Sequence, residues 1–147
     1  MNKPSRVIGT TSEALARAEQ QLGRRLPPSF REWLLVNNGL NLEAVHIYPV
    51  LDDRDPRKTW DSIVRNYQVG WEAWLVNFEE QRDGFNSLLP FSDFGTGDYY
   101  CFDYSREGVN GERPVVLWSH ETGELQSRGE SFIEFSERLS QGEFAHD

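Results

Sequence analysis

Apolar residues along this chain follow two rhythms: nearly continuous over short runs, and recurring at every third or fourth position elsewhere. The continuous rhythm is strongest at Leu88-Leu89-Pro90-Phe91 and at Tyr99-Tyr100-Cys101-Phe102, with Asp93, Gly95, Gly97 and Asp98 between them. Short, aromatic-rich runs of this kind predict two strands joined by a tight turn, where glycine permits angles that a Cβ resists. Residues 114–120 predict a third strand. A turn at Glu121-Thr122-Gly123-Glu124 leads to a short fourth, from Leu125 to Arg128. Residues 44–51 read as one more strand, with Pro49 suited to an edge or a strand end.

The helical rhythm begins at Thr10, three residues before Glu13, the spacing of a capping box. It places Leu15, Ala18 and Leu22 on one face of a helix that Gly23 ends. Pro28 suits the first turn of a second helix, which carries Phe30, Trp33 and Leu34 and stops near Asn38-Gly39. Asp52 to Lys58 reads as a charged surface loop, and Thr59 as the cap of a third helix. Trp60, Ile63, Val64, Tyr67, Trp71, Trp74, Leu75 and Phe78 keep helical spacing, as one bent helix or two consecutive ones around Gly70. Ser131 and Glu134 repeat the capping-box spacing before a last helix with Phe132, Ile133, Phe135 and Leu139, closed by Gly142. Residues 1–9 and 143–147 read as loose ends.

At 147 residues the expectation is one domain over 1–147, with its core at about 10–140, and an aromatic content of 13% supplies large side chains for that core. A single cysteine excludes an intrachain disulfide and points to a reducing compartment. With no apolar leader and no run of about 18 apolar residues, the expectation is a soluble cytoplasmic protein with no membrane partner. The net charge of −9 is uneven: residues 1–42 carry six basic against three acidic residues, and residues 43–147 carry a net −12. An acidic bulk argues against a phosphate backbone as partner, and therefore against nucleic acid.

Candidate chemistry is sparse. Asp52, Asp53 and Asp55 lack the glycine and terminal glutamate of a calcium loop, and His46, His120 and His146 lack metal-ligand spacing. Gly95-Thr96-Gly97 is not followed by the lysine of a phosphate loop, and no Gly-x-Ser-x-Gly elbow occurs. Cys101 is expected buried and inert. Asp93, Asp98 and Asp103 could form an acid–base cluster across a hairpin. The stronger reading makes them turn formers, with Asp98 ordering the glycine turn and Asp103 closing its strand before Ser105. No catalytic, cofactor or metal residue is therefore expected.

Several motifs carry a resemblance. Leu26-Pro27, Phe30, Asn38-Gly39, Leu89-Pro90-Phe91, Gly97-Asp98, Tyr100-Cys101-Phe102-Asp103, Val115-Val116-Leu117-Trp118 with His120, and Ser131-Phe132 with Phe135 are similar, in this order, to the SUKH superfamily pattern. That superfamily contains fungal cell-wall-synthesis regulators and many bacterial immunity proteins. Leu40 stands where many members have a second glycine after Asn-Gly. The resemblance implies an α+β fold: a central, mostly antiparallel sheet flanked by N-terminal, middle and C-terminal helices. It also implies a non-enzymatic immunity protein that neutralises a cognate toxin, commonly a nuclease with a basic face. The alternative is a regulatory adaptor like the fungal members. Candidate partner-binding residues are Asp52, Asp53, Asp55, Asp93, Asp98 and Glu121, with Trp71 as an aromatic anchor if it is exposed.

Overall fold

Four short strands organise the chain: β1 (Leu88–Asp93), β2 (Tyr99–Asp103), β3 (Val115–Trp118) and β4 (Leu125–Gly129). They pair antiparallel in the spatial order β1-β2-β3-β4. The computed structural model describes residues 8–94, 96–145 and 147, so most of the expected loose lead lies outside the described residues. With the helices below, this is an α+β fold. Every residue of β2 is buried, which accounts for its unbroken Tyr99-Tyr100-Cys101-Phe102 run: a strand covered on both faces needs no polar alternation.

The pairing register assigns side chains to the two faces. Tyr99↔Trp118 and Cys101↔Val116 point one way, Tyr100↔Leu117 and Phe102↔Val115 the other. The register of β1 shifts between Pro90 and Ser92, so Phe91 stacks on Phe102 with ring centroids 4.3 Å apart. A proline is tolerated there because β1 is an edge strand and bulges beside it. Helices α1 (Ser12–Leu22), α2 (Pro28–Asn37) and α3 (Phe132–Ser140) complete the main elements. Phe30 of α2 and Phe132 and Phe135 of α3 cover the Phe91–Phe102 face. Residues 63–85, a chain of helical turns, cover the Trp118 face, where Trp71 meets Trp118 edge-on at 4.8 Å and Tyr99 at 5.4 Å. Such edge-on aromatic pairs contribute beyond the area they bury.

Several local expectations are corrected. Thr11, not Thr10, caps α1 by accepting from the Ala14 N–H. Thr10 donates its hydroxyl to Asp52 instead. Residues 44–51 form no strand, although they lie along the outer edge of β1 through the Ile47↔Ser92 bridge and the Tyr48 N–H to Phe91 carbonyl bond. Pro49 has no N–H to continue the ladder, and the Asn38 side chain occupies both the N–H and the C=O of Val50. Thr59 does not start the middle helix. Its hydroxyl bonds Asp55 and Asp52 backbone groups, and the helix begins at Ile63 with Ser62 as cap. It bends through a π-helical stretch at Asn66–Trp71, which contains Gly70, and kinks at Phe78.

Trp71 is 1% exposed and belongs to the core, so it is no surface anchor: the helical stripe turns it onto Trp118. The expected loose end is docked at Phe144 and Asp147 instead. Phe144 is buried against Phe135 and lies under the guanidinium groups of Arg128 and Arg138, and Asp147 forms a forked ion pair with Arg128. His146 lies outside the described residues.

Trp118 touches Trp71, Trp74, Phe78 and Phe85 at once. Trp118→Ala should therefore lower stability by about 3–5 kcal/mol, read as a lower urea midpoint with the slope retained. An unchanged midpoint would contradict this placement of β3.

Candidate functional site

Where β1 ends, the sheet, the 42–45 turn and the segment after α3 enclose a cleft of about 700 Å³. Leu42 and Val45 exchange both backbone hydrogen bonds, and this tight turn holds Glu43 at φ 53, in the left-handed region that non-glycine residues rarely adopt. Glu43 and Ala44 form one wall of the cleft, Asp93 and Phe94 a second, and Leu139, Phe144 and Asp147 a third, with Tyr100 at the base. Three carboxylates thus surround an apolar, aromatic floor. Asp147 is partly neutralised by Arg128, and it accepts the Tyr100 hydroxyl at 2.6 Å. Burial and that carboxylate together push the Tyr100 phenol far above its usual range. Asp93 accepts the hydroxyl of Tyr48, whose pKa is raised chiefly by burial and then by Asp93. Tyr99 is pushed up to about 12, again by burial first and by the charge of Asp93 second. Tyr48 and Tyr100 therefore stay neutral at any physiological pH and donate to Asp93 and Asp147 of the rim.

A second feature adjoins the cleft through Asp93. Trp74, Thr96, Gly97 and Tyr99 line a small depression beside it. Gly97 has φ 108, and a Cβ there would sit 2.5 Å from the Trp74 ring, so only glycine fits the turn. Asp98 accepts the backbone N–H of His120 at 2.9 Å and contacts its Nδ1 at 2.6 Å. The imidazole packs on Trp74 with centroids 5.2 Å apart. The Asp98–His120 contacts tie the β1–β2 turn to the end of β3. Asp103 accepts from the N–H and hydroxyl of Ser105 as expected, whereas the Asp98 carboxylate is engaged by His120, 22 positions away, rather than by the backbone of the glycine turn. Cys101 is buried, and burial raises its thiol pKa well above the ordinary value.

The profile of the SMI1 / KNR4 family (SUKH-1) matches residues 9–138. The chain belongs to the SMI1/KNR4 family of the SUKH superfamily. Its fold is also similar to a crystal structure of a protein from Pseudomonas syringae pv. tomato, with a TM-score of 0.55 and 21% identity, over 94% of this chain and 89% of that one. No curated protein matches the chain.

In this SMI1/KNR4 domain the candidate residues fall in two places. Asp93, Asp98 and Glu121 gather at the β1–β2 turn and the adjoining end of β3, and Glu121 is exposed. Asp52, Asp53 and Asp55 sit apart on the loop before Trp60. Asp53 is exposed and ion-paired with Arg17 at 3.2 Å, and Asp55 caps the helical turn Pro56–Thr59. Asp52, expected on the surface, is 3% exposed. Thr10 donates to it at 2.9 Å and Arg54 through Nε and Nη2 at 2.9 and 2.7 Å, so it pins the loop to the start of α1.

Two features were not foreseen. Trp60 is 59% exposed, with the Arg65 guanidinium over its ring at 4.0 Å, because it lies between the two helix starts rather than inside a helix. Phe144 and Asp147 lie in the segment that reads as a loose end. A lone aromatic among the polar residues after Gly142 was the available signal that this segment docks.

The Arg54 hydrogen bonds, more than any other cause, hold the Asp52 carboxyl well below the usual carboxylate range. The unfolded chain protonates it near about pH 4. Its stabilisation is thus complete above about pH 4 and is lost as pH falls through the lower folded-state value. Asp52→Asn should lower the melting temperature at pH 7 and shrink its drop between about pH 4 and about pH 2. A variant with an undiminished acid drop would show that other carboxylates carry it.

Proposed function

We propose that this SMI1/KNR4 domain is a non-enzymatic immunity protein that binds and neutralises a cognate toxin, a nuclease domain with a basic face. The observation that carries this reading is the cleft at the end of β1, where Glu43, Asp93 and Asp147 surround Phe94, Tyr100 and Phe144. A basic partner can set a Lys or Arg against the rim while the alkyl stem or an aromatic neighbour lies on the floor. The net −12 over residues 43–147 supplies a long-range field that favours encounter with a positive surface. Two observations favour a binding role over chemistry: the thiol of Cys101 is sealed in the core with a raised pKa, and the His120–Asp98 pair is used to hold a turn. The lone cysteine suits a reducing compartment, and we place the protein in the cytoplasm.

The test uses whichever toxin domain a neighbouring gene encodes, and a gene neighbourhood without one counts against immunity. Co-expression should restore growth to cells making that toxin. Association of the two purified proteins should slow by about tenfold or more as salt rises to about 0.5 M, where the Debye length is roughly 4 Å. Glu43→Gln combined with Glu121→Gln, both exposed positions, should weaken that salt dependence. Failure to restore growth would reject immunity. Restored growth with a salt-independent association rate would assign the negative charge to solubility alone.

A further inference from the structure

The opposite charge is concentrated in another cleft, of about 430 Å³, lined by Arg24, Arg25, Arg31 and Arg113 together with Tyr104 and Glu107. In a chain of net charge −9, four arginines around one depression call for a physical reason. Elsewhere the arginines are largely spent on carboxylates: Arg17, Arg54, Arg82, Arg106, Arg128 and Arg138 all hold ion pairs. Within this cleft only Arg31 does, with Glu19 at 3.2 Å. None of the other three pairs with a carboxylate among the described residues. Arg24 donates to the Asn86 carbonyl at 3.0 Å and leaves its buried Nη1 without an acceptor. Arg113 donates to the carbonyls of Tyr104 and Arg106.

The acidic neighbours offset part of this charge without pairing with Arg24, Arg25 or Arg113 among the described residues. Glu19 is engaged by Arg31 and the Leu26 N–H, and Glu112 by the N–H and hydroxyl of Ser29 at 2.9 and 2.6 Å. Glu107 is exposed at the rim. The Tyr104 hydroxyl donates to the Arg25 carbonyl at 2.5 Å, which fixes the ring between the chain segments that carry the arginines. The guanidinium carbons of Arg24 and Arg113 each lie 4.8 Å from the centre of that ring.

We infer that this cleft binds a compact phosphoryl oxyanion. Guanidinium groups line it from the turn between α1 and α2 and from the residue two before β3, whereas that of Arg31 on α2 is already paired with Glu19. A tetrahedral group with oxygens in several directions satisfies forks from several segments, whereas a planar carboxylate engages one fork well. Because two guanidiniums already lie over Tyr104, the ring is not a free stacking platform for a base, so recognition falls on the anion itself. The site is independent of the toxin-binding reading and lies on different residues from the acid-rimmed cleft.

Calorimetric titration of the full chain with inorganic pyrophosphate, at constant ionic strength, tests this. Saturable binding is expected, weakened about tenfold or more in Arg24→Gln and in Arg25→Gln, since losing a charge-assisted hydrogen bond has that scale. Arg25 is exposed and makes no side-chain bond among the described residues, so Arg25→Gln should keep the wild-type melting temperature and remains informative if Arg24→Gln unfolds. A phosphoserine peptide run in parallel distinguishes a protein-borne phosphoryl group from a free one, and binding of either supports the site. Absence of saturation with both probes, equal affinity in Arg25→Gln, or tighter binding of citrate than of pyrophosphate would overturn the proposal.

Discussion

Enclosure of β2 on both edges and both faces is the constraint from which the rest of the architecture follows. A strand made of Tyr99, Tyr100, Cys101, Phe102 and Asp103 is stable only when β1 and β3 take its backbone hydrogen bonds and two separate layers take its side chains. Tyr99 directs the 63–85 segment onto one face through Trp71 and Trp118. Tyr100 and Phe102 recruit α2 and α3 onto the other through Phe30, Phe132 and Phe135. The candidate cleft is a consequence of this enclosure. Tyr100 is held at its base by the core, and its hydroxyl carries polar contact outward to Asp147.

Features set by local chemistry were legible in the sequence. The glycine turn between β1 and β2, the Ser131 cap of α3, the left-handed Gly23 after α1 and the closure of β2 by Asp103 each depend on a few adjacent residues, and each appears as read. The errors arose where a distant group competed. Asn38 takes the backbone of Val50 and prevents a strand at residues 44–51. Asp52 is drawn inward by Arg54 and by Thr10, 42 positions away in sequence. Trp71 and Trp60 share one helical stripe in the sequence, yet one is core and the other surface, because the helix begins only at Ile63.

The site was legible only in part, for the same reason. Of the sequence candidates Asp93 lines the cleft and Asp98 does not, whereas Glu43, Phe144 and Asp147 reach it from segments with no periodic pattern. Charge showed a similar limit. The sequence displays a basic first third and an acidic remainder, but the fold separates them into two clefts of opposite sign, one among Glu43, Asp93 and Asp147 and one among Arg24, Arg25 and Arg113. An arrangement of that kind lets a protein present a negative face to one partner without forfeiting a positive site elsewhere.

The central functional claim is that a protein partner seats on the cleft at the end of β1. Amide hydrogen exchange of this chain, alone and bound to the protein partner that co-purifies with it, locates the contact directly. The account predicts added protection at residues 43–46, 93–98 and 139–145. Protection confined to residues 24–31 and 104–113, with the 43–46 turn exchanging at its free rate, would contradict it.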